Sequence, residues 1–495
     1  MRTASKVLRA STLLSFGQLT SYGASFLRNV ILARALTKAD FGIAAALSLM
    51  MSAFELSGKL SIGQQVIQAK DGDHEDFQAT AQGCQFLAGC IGAVLIAAFG
   101  LPMARLFHVP QAGWAFVLMS VLGIFNGLQH LDVMRFARTL NFGRRVMVDV
   151  IPDVATALAC YPVVLWLKDY RAVVCLLMLR GLLLLAVGHL MADRPYHWSF
   201  NRTYINRILL FGWPLAVNAL LMFGYQQGDQ VLIGAHYSMA SLAQYSLAVS
   251  ITMIPGYMFQ YVVNTVMLPL LSQVQDDPAT YRRRYLFCAE LSTVAGVLIA
   301  CFLIVGGEMV IVTAFGRKYA GSGAIVGCLA VANAFRIIRA VPSLAAMARG
   351  DTVNNLIANC FRVSSLVLSA FLVFAGAPLV WVAACGTVGE LLALGAAWHR
   401  LSKKCGIPVA VGLKSVMVAM PVMGVAAAIS LVPAASSKIV AVLLCIGACC
   451  GAAALMWGLF GEFRRCSLQT LAAMPATVWL ARLLGGVRPL NSDIV

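Results

Sequence analysis

The stretch Phe26-Leu27-Arg28-Asn29-Val30-Ile31-Leu32-Ala33-Arg34, running on to Lys38-Ala39-Asp40-Phe41-Gly42, sets how the rest of the chain is read. It lies inside an apolar segment long enough to cross a bilayer, and it puts Arg28 well within that segment. A charge at that depth costs about 2.5–3.5 kcal/mol on the insertion scale, so it normally faces a protein interior or a watery cavity. Helical steps back from Arg28 reach Ser25, then Ser21 and Tyr22, then Gln18, which places the polar groups on one face.

Working outward, composition sets the class. Of 495 residues, 60% are hydrophobic and only 12% charged, with mean hydropathy +0.82, whereas a soluble domain carries about 25% charged residues. The chain is therefore an all-α polytopic membrane protein. At about 20 apolar residues per crossing, about fourteen spans are expected. They fall near 11–33, 41–63, 82–104, 114–134, 147–167, 172–192, 208–228, 242–264, 285–306, 321–345, 354–375, 378–398, 413–433 and 438–460. The longest internal loops, near 64–81, 193–207 and 268–284, are too short for an independent domain. The basic start Met1–Arg9 is followed by a polar stripe and Arg28, not by a short apolar core and cleavage site, so the first span is expected to stay in the protein.

The formal charge of +17 is distributed as a topology signal and gives no reason to expect nucleic acid. With both ends assigned to the cytoplasm, basic residues favour one set of alternate loops by roughly three to one, the positive-inside pattern. The 14 cysteines lie mostly inside spans and read as small buried apolar residues. No Cys/His cluster has metal spacing, no P-loop is present, and no Ser/His/Asp order stands in a polar setting. The expectation is a non-enzyme with no cofactor and no metal.

The opening stretch has an echo about 200 residues on. Asp229-Gln230-Val231-Leu232-Ile233-Gly234, followed by Ala243-Gln244-Tyr245-Ser246-Leu247-Ala248, parallels Arg28 to Ala33 followed by Phe41 to Ala46, with one residue inserted in the second copy. Each copy covers the end of one span, a turn and the start of the next. The chain is thus expected to form two six-helix pseudo-symmetric lobes, 1–200 and 201–400, with 401–495 adding two further spans and an interfacial cytoplasmic tail. Such a construction puts a substrate cavity between the halves near mid-membrane.

Three landmarks lie in order along residues 10–400. They are the Arg28 stretch ending in Asp40-Phe41-Gly42; Leu268-Pro269…Ser272 followed by an acidic pair and Arg282-Arg283-Arg284; and Phe315-Gly316…Tyr319 leading to Arg349-Gly350. This set resembles the polysaccharide-repeat-unit flippases of the multidrug/oligosaccharidyl-lipid/polysaccharide exporter superfamily. The resemblance implies two lobes in a V shape with a cationic central cavity. It also implies carriage of an undecaprenyl-diphosphate-linked oligosaccharide from the cytoplasmic to the periplasmic leaflet. Arg28 falls at the first-span arginine that lipid-linked peptidoglycan-precursor flippases of the same superfamily use. Asp229 stands at the matching place in the second half, a departure from simple pseudo-symmetry.

The residues able to carry chemistry are charges at membrane depth. Span ten has Asn333, Arg336, Arg339 and Ser343 along one stripe, with Pro342 expected to bend it; span eleven has Asn355, Asn359, Arg362, Ser365 and Ser369. Guanidinium groups suit phosphates because their planar fork makes paired, charge-assisted bonds. Arg28, Arg336, Arg339, Arg362, Asn359 and Asn355 are therefore the candidate substrate-binding set; the competing expectation for the arginines is snorkelling to an interface. Arg180, among leucines, is expected in a structural salt bridge or snorkelling. Glu55 and Asp229 are candidate coupling or ion-pair acids, alongside Asp132, Asp149, Asp153, Glu290 and Glu390. His130 reads as a packing residue.

The function that follows is flipping of a lipid-linked oligosaccharide across a bacterial inner membrane for O-antigen, capsule or exopolysaccharide. Membrane lipids and a polysaccharide polymerase or export machinery are the other partners. The alternative is a multidrug or cation antiporter of the same superfamily, which would need an acidic, aromatic cavity. A polymerase or ligase would need a sizeable outward loop, which the chain lacks.

Overall fold

A computed structural model describes residues 2–58, 62–139, 142–351, 353–431 and 438–473. Among them there is no strand. The helices are α1 (Arg2–Ala35), α2 (Lys38–Gly58), α3 (Ile62–Gln68), α4 (Glu75–Leu106), α5 (Gly113–Leu118), α6 (Ser120–Gly127), α7 (Asp132–Arg135), α8 (Gly143–Leu167), α9 (Arg171–Leu190), α10 (Arg202–His236), α11 (Met239–Val262), α12 (Leu268–Ser272), α13 (Pro278–Phe315), α14 (Gly323–Ala348), α15 (Val353–Phe374), α16 (Leu379–Cys405), α17 (Val409–Ser430), α18 (Lys438–Leu459) and α19 (Gly461–Ala473). Each expected span overlaps one or more helices among the described residues, and 11 helices are long and apolar enough to cross a bilayer. The protein is a multi-pass, all-α membrane protein.

Three local expectations change. Span four is interrupted near Met119 into α5 and α6. There Gly89 and Gly127 let α4 and α6 approach so closely that a Cβ on Gly89 would lie 2.4 Å from the Gly127 Cα. The 64–81 loop is shorter than expected, because α3 and the start of α4 occupy most of it. Its acids are knitted to basic residues: Asp71 to Arg207, and Asp73 to both Arg135 and Arg194. The Leu268-Pro269 landmark is helical, since a π-helical segment, Val263–Met267, joins α11 to α12, and the turn comes only after Ser272.

The chain divides into two units. The first comprises Met1–Ser246 with Ala314–Lys318, the second Leu247–Thr313 with Tyr319–Val495. In the first, α8 packs between α1 and α9, and α10 lies against α2 and α4. The 314–318 segment joins this unit through Arg34, whose Nε donates to the Ala314 carbonyl at 2.8 Å, and through Lys318, whose ammonium donates to the Arg34 carbonyl at 3.1 Å. In the second, α16 packs along both α14 and α15.

The internal echo is real at the level of helix caps. Thr37 precedes α2, and its hydroxyl accepts from the Asp40 N–H at 3.1 Å; Ser238 precedes α11, and its hydroxyl accepts from the Ser241 N–H at 3.2 Å. Each satisfies an amide that the helix start leaves without an intrahelical partner. Thr37 stands as far along the chain from Arg28 as Ser238 does from Asp229. The inserted residue expected from the sequence is therefore not needed: Phe41 matches Leu242, and Gly42 matches Ala243.

Candidate functional site

The second unit brings three of the proposed arginines onto one carboxylate. Arg336 and Arg339, one helical turn apart on α14, and Arg362 on α15 all reach Glu390 on α16. The distances are 2.9 Å from Arg336 Nε, 3.1 Å from Arg339 Nε and 2.7 Å from Arg362 Nη2. Glu390 is 3% exposed, Arg362 5% and Arg339 6%; the Arg336 side chain is more open, at 23%. Arg336 also points its Nη1 at the Met253 sulfur on α11, 2.7 Å away. None of the three snorkels away from Glu390. Three guanidinium groups thus share one carboxylate.

Local sequence explains this convergence. On α16, Gly389, Ala393 and Ala397 repeat every fourth residue, and they face α15. A Cβ on Gly389 would come within 2.6 Å of the Ser365 side chain and 3.0 Å of the Arg362 carbonyl. Ala358, Ala393 and Ala397 are fully buried against one another. Small side chains at this period let two membrane helices approach closely. That approach puts Glu390, the next residue after Gly389, within reach of Arg362. Asn354 strengthens the same seam by donating to the Ala397 carbonyl at 3.0 Å.

The amides fall at different distances from the cluster. Asn359 Oδ1 accepts from Arg362 Nη1 at 3.4 Å. Asn355 is exposed, one step around the helix from the buried Asn354. Asn333 turns to α11 and donates to the Thr252 carbonyl at 2.6 Å. Pro342 is buried within α14.

The first unit holds a smaller cluster. Arg180 on α9 pairs with Asp153 on α8 at 2.7 Å, the structural salt bridge expected of it. Arg28 on α1 donates to the Thr156 hydroxyl on α8 at 3.4 Å and lies within electrostatic reach of both Arg180 and Asp153. Arg28 is half-buried.

Of the acids, Asp229 accepts a short hydrogen bond from the Tyr245 hydroxyl, which ties α10 to α11, and its neighbour Gln230 accepts from Ser246 at 3.0 Å. The Glu55 side chain lies outside the described residues. Asp132 is fully buried between the Arg135 guanidinium at 2.6 Å and the backbone N–H groups of Asp193 and Arg194. His130 packs as expected, with Nδ1 accepting from the Asp132 N–H and Nε2 facing the Arg194 carbonyl. Among the described residues there is no group of acids, histidines and cysteines able to hold a metal.

Glu390 was one of several candidate ion-pair acids in the sequence and was not singled out as the common partner of the three arginines. The Gly389-Glu390 pair and the Ala393, Ala397 repeat mark a close helix contact, but no local pattern says that α14 and α15 share α16 as a neighbour.

Comparisons agree with this architecture. Residues 31–323 match the family described as polysaccharide biosynthesis protein. No curated protein matches the chain in sequence. Among solved structures, the lipid II flippase MurJ in an inward closed conformation superposes with TM-score 0.72 at 14% identity, over 90% of this chain and 99% of its own. An inward-facing multidrug resistance MATE family transporter gives 0.60 at 14% identity, over 82% and 99%. A Vibrio cholerae MATE transporter gives 0.53 at 12% identity, over 81% and 96%. The chain belongs to the polysaccharide biosynthesis protein family and has the fold of the multidrug/oligosaccharidyl-lipid/polysaccharide exporter superfamily.

Proposed function

We propose that this protein flips an undecaprenyl-diphosphate-linked oligosaccharide from the cytoplasmic to the periplasmic leaflet of a bacterial inner membrane, with both termini in the cytoplasm. The product feeds a surface polysaccharide: O-antigen, capsule or exopolysaccharide. The observation that carries this reading is the gathering of Arg336, Arg339 and Arg362 on a single Glu390, within helices long and apolar enough to cross a membrane. A diphosphate needs several charge-assisted donors at once, and guanidinium forks supply them in pairs. Asn359 and Asn355 supply amides for sugar hydroxyls, and Arg28 is a separate candidate donor within the first unit. Rocking of two lobes would expose such a site to each leaflet in turn. A cation antiporter would instead want an excess of carboxylates, which the Glu390 cluster does not have.

The test is export of polymer in cells carrying Arg28→Gln or Arg362→Gln, with the amount of membrane-inserted protein measured in parallel. Both variants are expected to abolish export at unchanged protein level. Arg362→Lys keeps the charge but loses the fork and is expected to fall between. Full export in both glutamine variants overturns the site assignment.

A further inference from the structure

Where α13, α17, the end of α18 and α19 meet, the second unit forms an open cleft of about 760 Å³. It lies away from the arginine cluster on Glu390, and none of that cluster's residues lines it. One wall is apolar, made by Leu286, Val411, Phe460 and Leu468; the rest is charged, made by Lys414, Arg464, Arg465, Glu290 and Glu462.

The acids already have their partners. Glu290 Oε2 accepts from the Phe463 N–H at 2.7 Å, which fastens the start of α19 to α13. Glu462 accepts from Arg283 at 3.4 Å and from Arg465 at 3.3 Å. Of the cations, Lys414 donates to the Leu459 carbonyl at 2.8 Å and lies within electrostatic reach of Glu290. The guanidinium of Arg464 is exposed and makes no hydrogen bond or ion pair with any described residue. The lining therefore has one cation more than it has acids, and the helix start is closed by Glu290. Such a lining suits an anion with an apolar body.

We propose that this cavity holds the headgroup of an anionic phospholipid. The phosphodiester sits between Arg464, Arg465 and Lys414, with the glycerol and first methylenes against Leu286, Val411, Phe460 and Leu468. The setting fits that occupant. Arg282, Arg283 and Arg284 open α13 at the same end, and a juxtamembrane basic group of this kind attracts anionic lipid. The site is independent of the flippase reading, and it gives the two C-terminal spans a chemistry of their own.

The purified full-length protein in zwitterionic detergent is the material. The probes are palmitoyl-oleoyl phosphatidylglycerol, phosphatidylcholine with the same chains, and inorganic phosphate. Native mass spectrometry counts retained lipids, and thermal unfolding reads stabilisation. Phosphatidylglycerol is expected to be retained about tenfold better than phosphatidylcholine and to raise the melting temperature, whereas phosphate alone leaves it unmoved. The double variant R464Q/R465Q is expected to lose one retained phosphatidylglycerol and most of the upshift. A double variant R105Q/R171Q, whose residues do not line the cavity, is expected to behave as wild type. Both pairs are partly or fully exposed, and an unchanged melting temperature without lipid certifies each fold. Equal retention of the two lipids, undiminished phosphatidylglycerol binding in R464Q/R465Q, or an equal upshift from phosphate alone overturns the proposal.

Discussion

Glu390 takes the charge of three arginines, and its removal should be felt twice. A buried ion pair that loses one partner typically costs about 3–5 kcal/mol, because the remaining charge is left without compensation. Glu390→Gln leaves Arg336, Arg339 and Arg362 facing one another around a neutral amide. Its expected outcome is a loss of stability of that order in detergent unfolding, together with reduced export. Asp351, outside the spans, offers a cleaner titration. The Arg400 fork donates to both its oxygens, at 2.7 and 2.8 Å, and this bonding holds the carboxyl below the usual carboxylate range. A carboxylate with a depressed folded pKa contributes stability above its unfolded pKa and loses it as pH falls through the folded value. The melting temperature of wild type should therefore exceed that of Asp351→Asn at neutral pH, and the gap should close in acid. At this scale the sequence was informative about which residues matter, since Arg28, Arg336, Arg339 and Arg362 stand out against apolar neighbours. It said little about pairing, because an ion pair depends on which helices become neighbours, and no local pattern encodes that.

Among the elements, the contact between α15 and α16 rests on small side chains. Gly389→Val puts methyl groups where the Ser365 side chain already stands within 2.6 Å of a Cβ, an overpacking that typically costs about 1–3 kcal/mol. It should also draw Glu390 away from Arg362, so export is expected to fall more than stability does. Parallel export and unfolding measurements on the one variant decide this. Helix existence was legible throughout because runs of about 20 apolar residues leave little alternative in a bilayer. Interruptions were less so. The break at Met119 and the π-helical Val263–Met267 have no local signal in the apolar runs around them, whereas the Leu268-Pro269 pair looked like a turn because proline is tolerated in a first helical turn as well as in a loop.

For the whole molecule, the distribution of basic residues predicts orientation. A reporter inserted in the loop carrying Asp71 and one inserted beside Asp169 should report opposite sides of the membrane, the first cytoplasmic. The same side for both would overturn the assignment of alternate loops. The superfamily was legible from an ordered set of landmarks spread over some 400 residues, although each taken singly is common. The boundary between units was not: it falls inside α11, between Ser246 and Leu247, where hydropathy runs on unbroken.

The matched caps at Thr37 and Ser238 have a consequence for how such a chain can diverge. Each hairpin is closed by a hydroxyl that does not touch the charged position earlier on the same helix, so scaffold and cargo chemistry are inherited as separate traits. A cation at 28 and an anion at 229 therefore precede bends that are capped in the same way. The charge at either position can thus be exchanged with the cap hydrogen bond kept, so Asp229→Asn should leave the start of α11 in place.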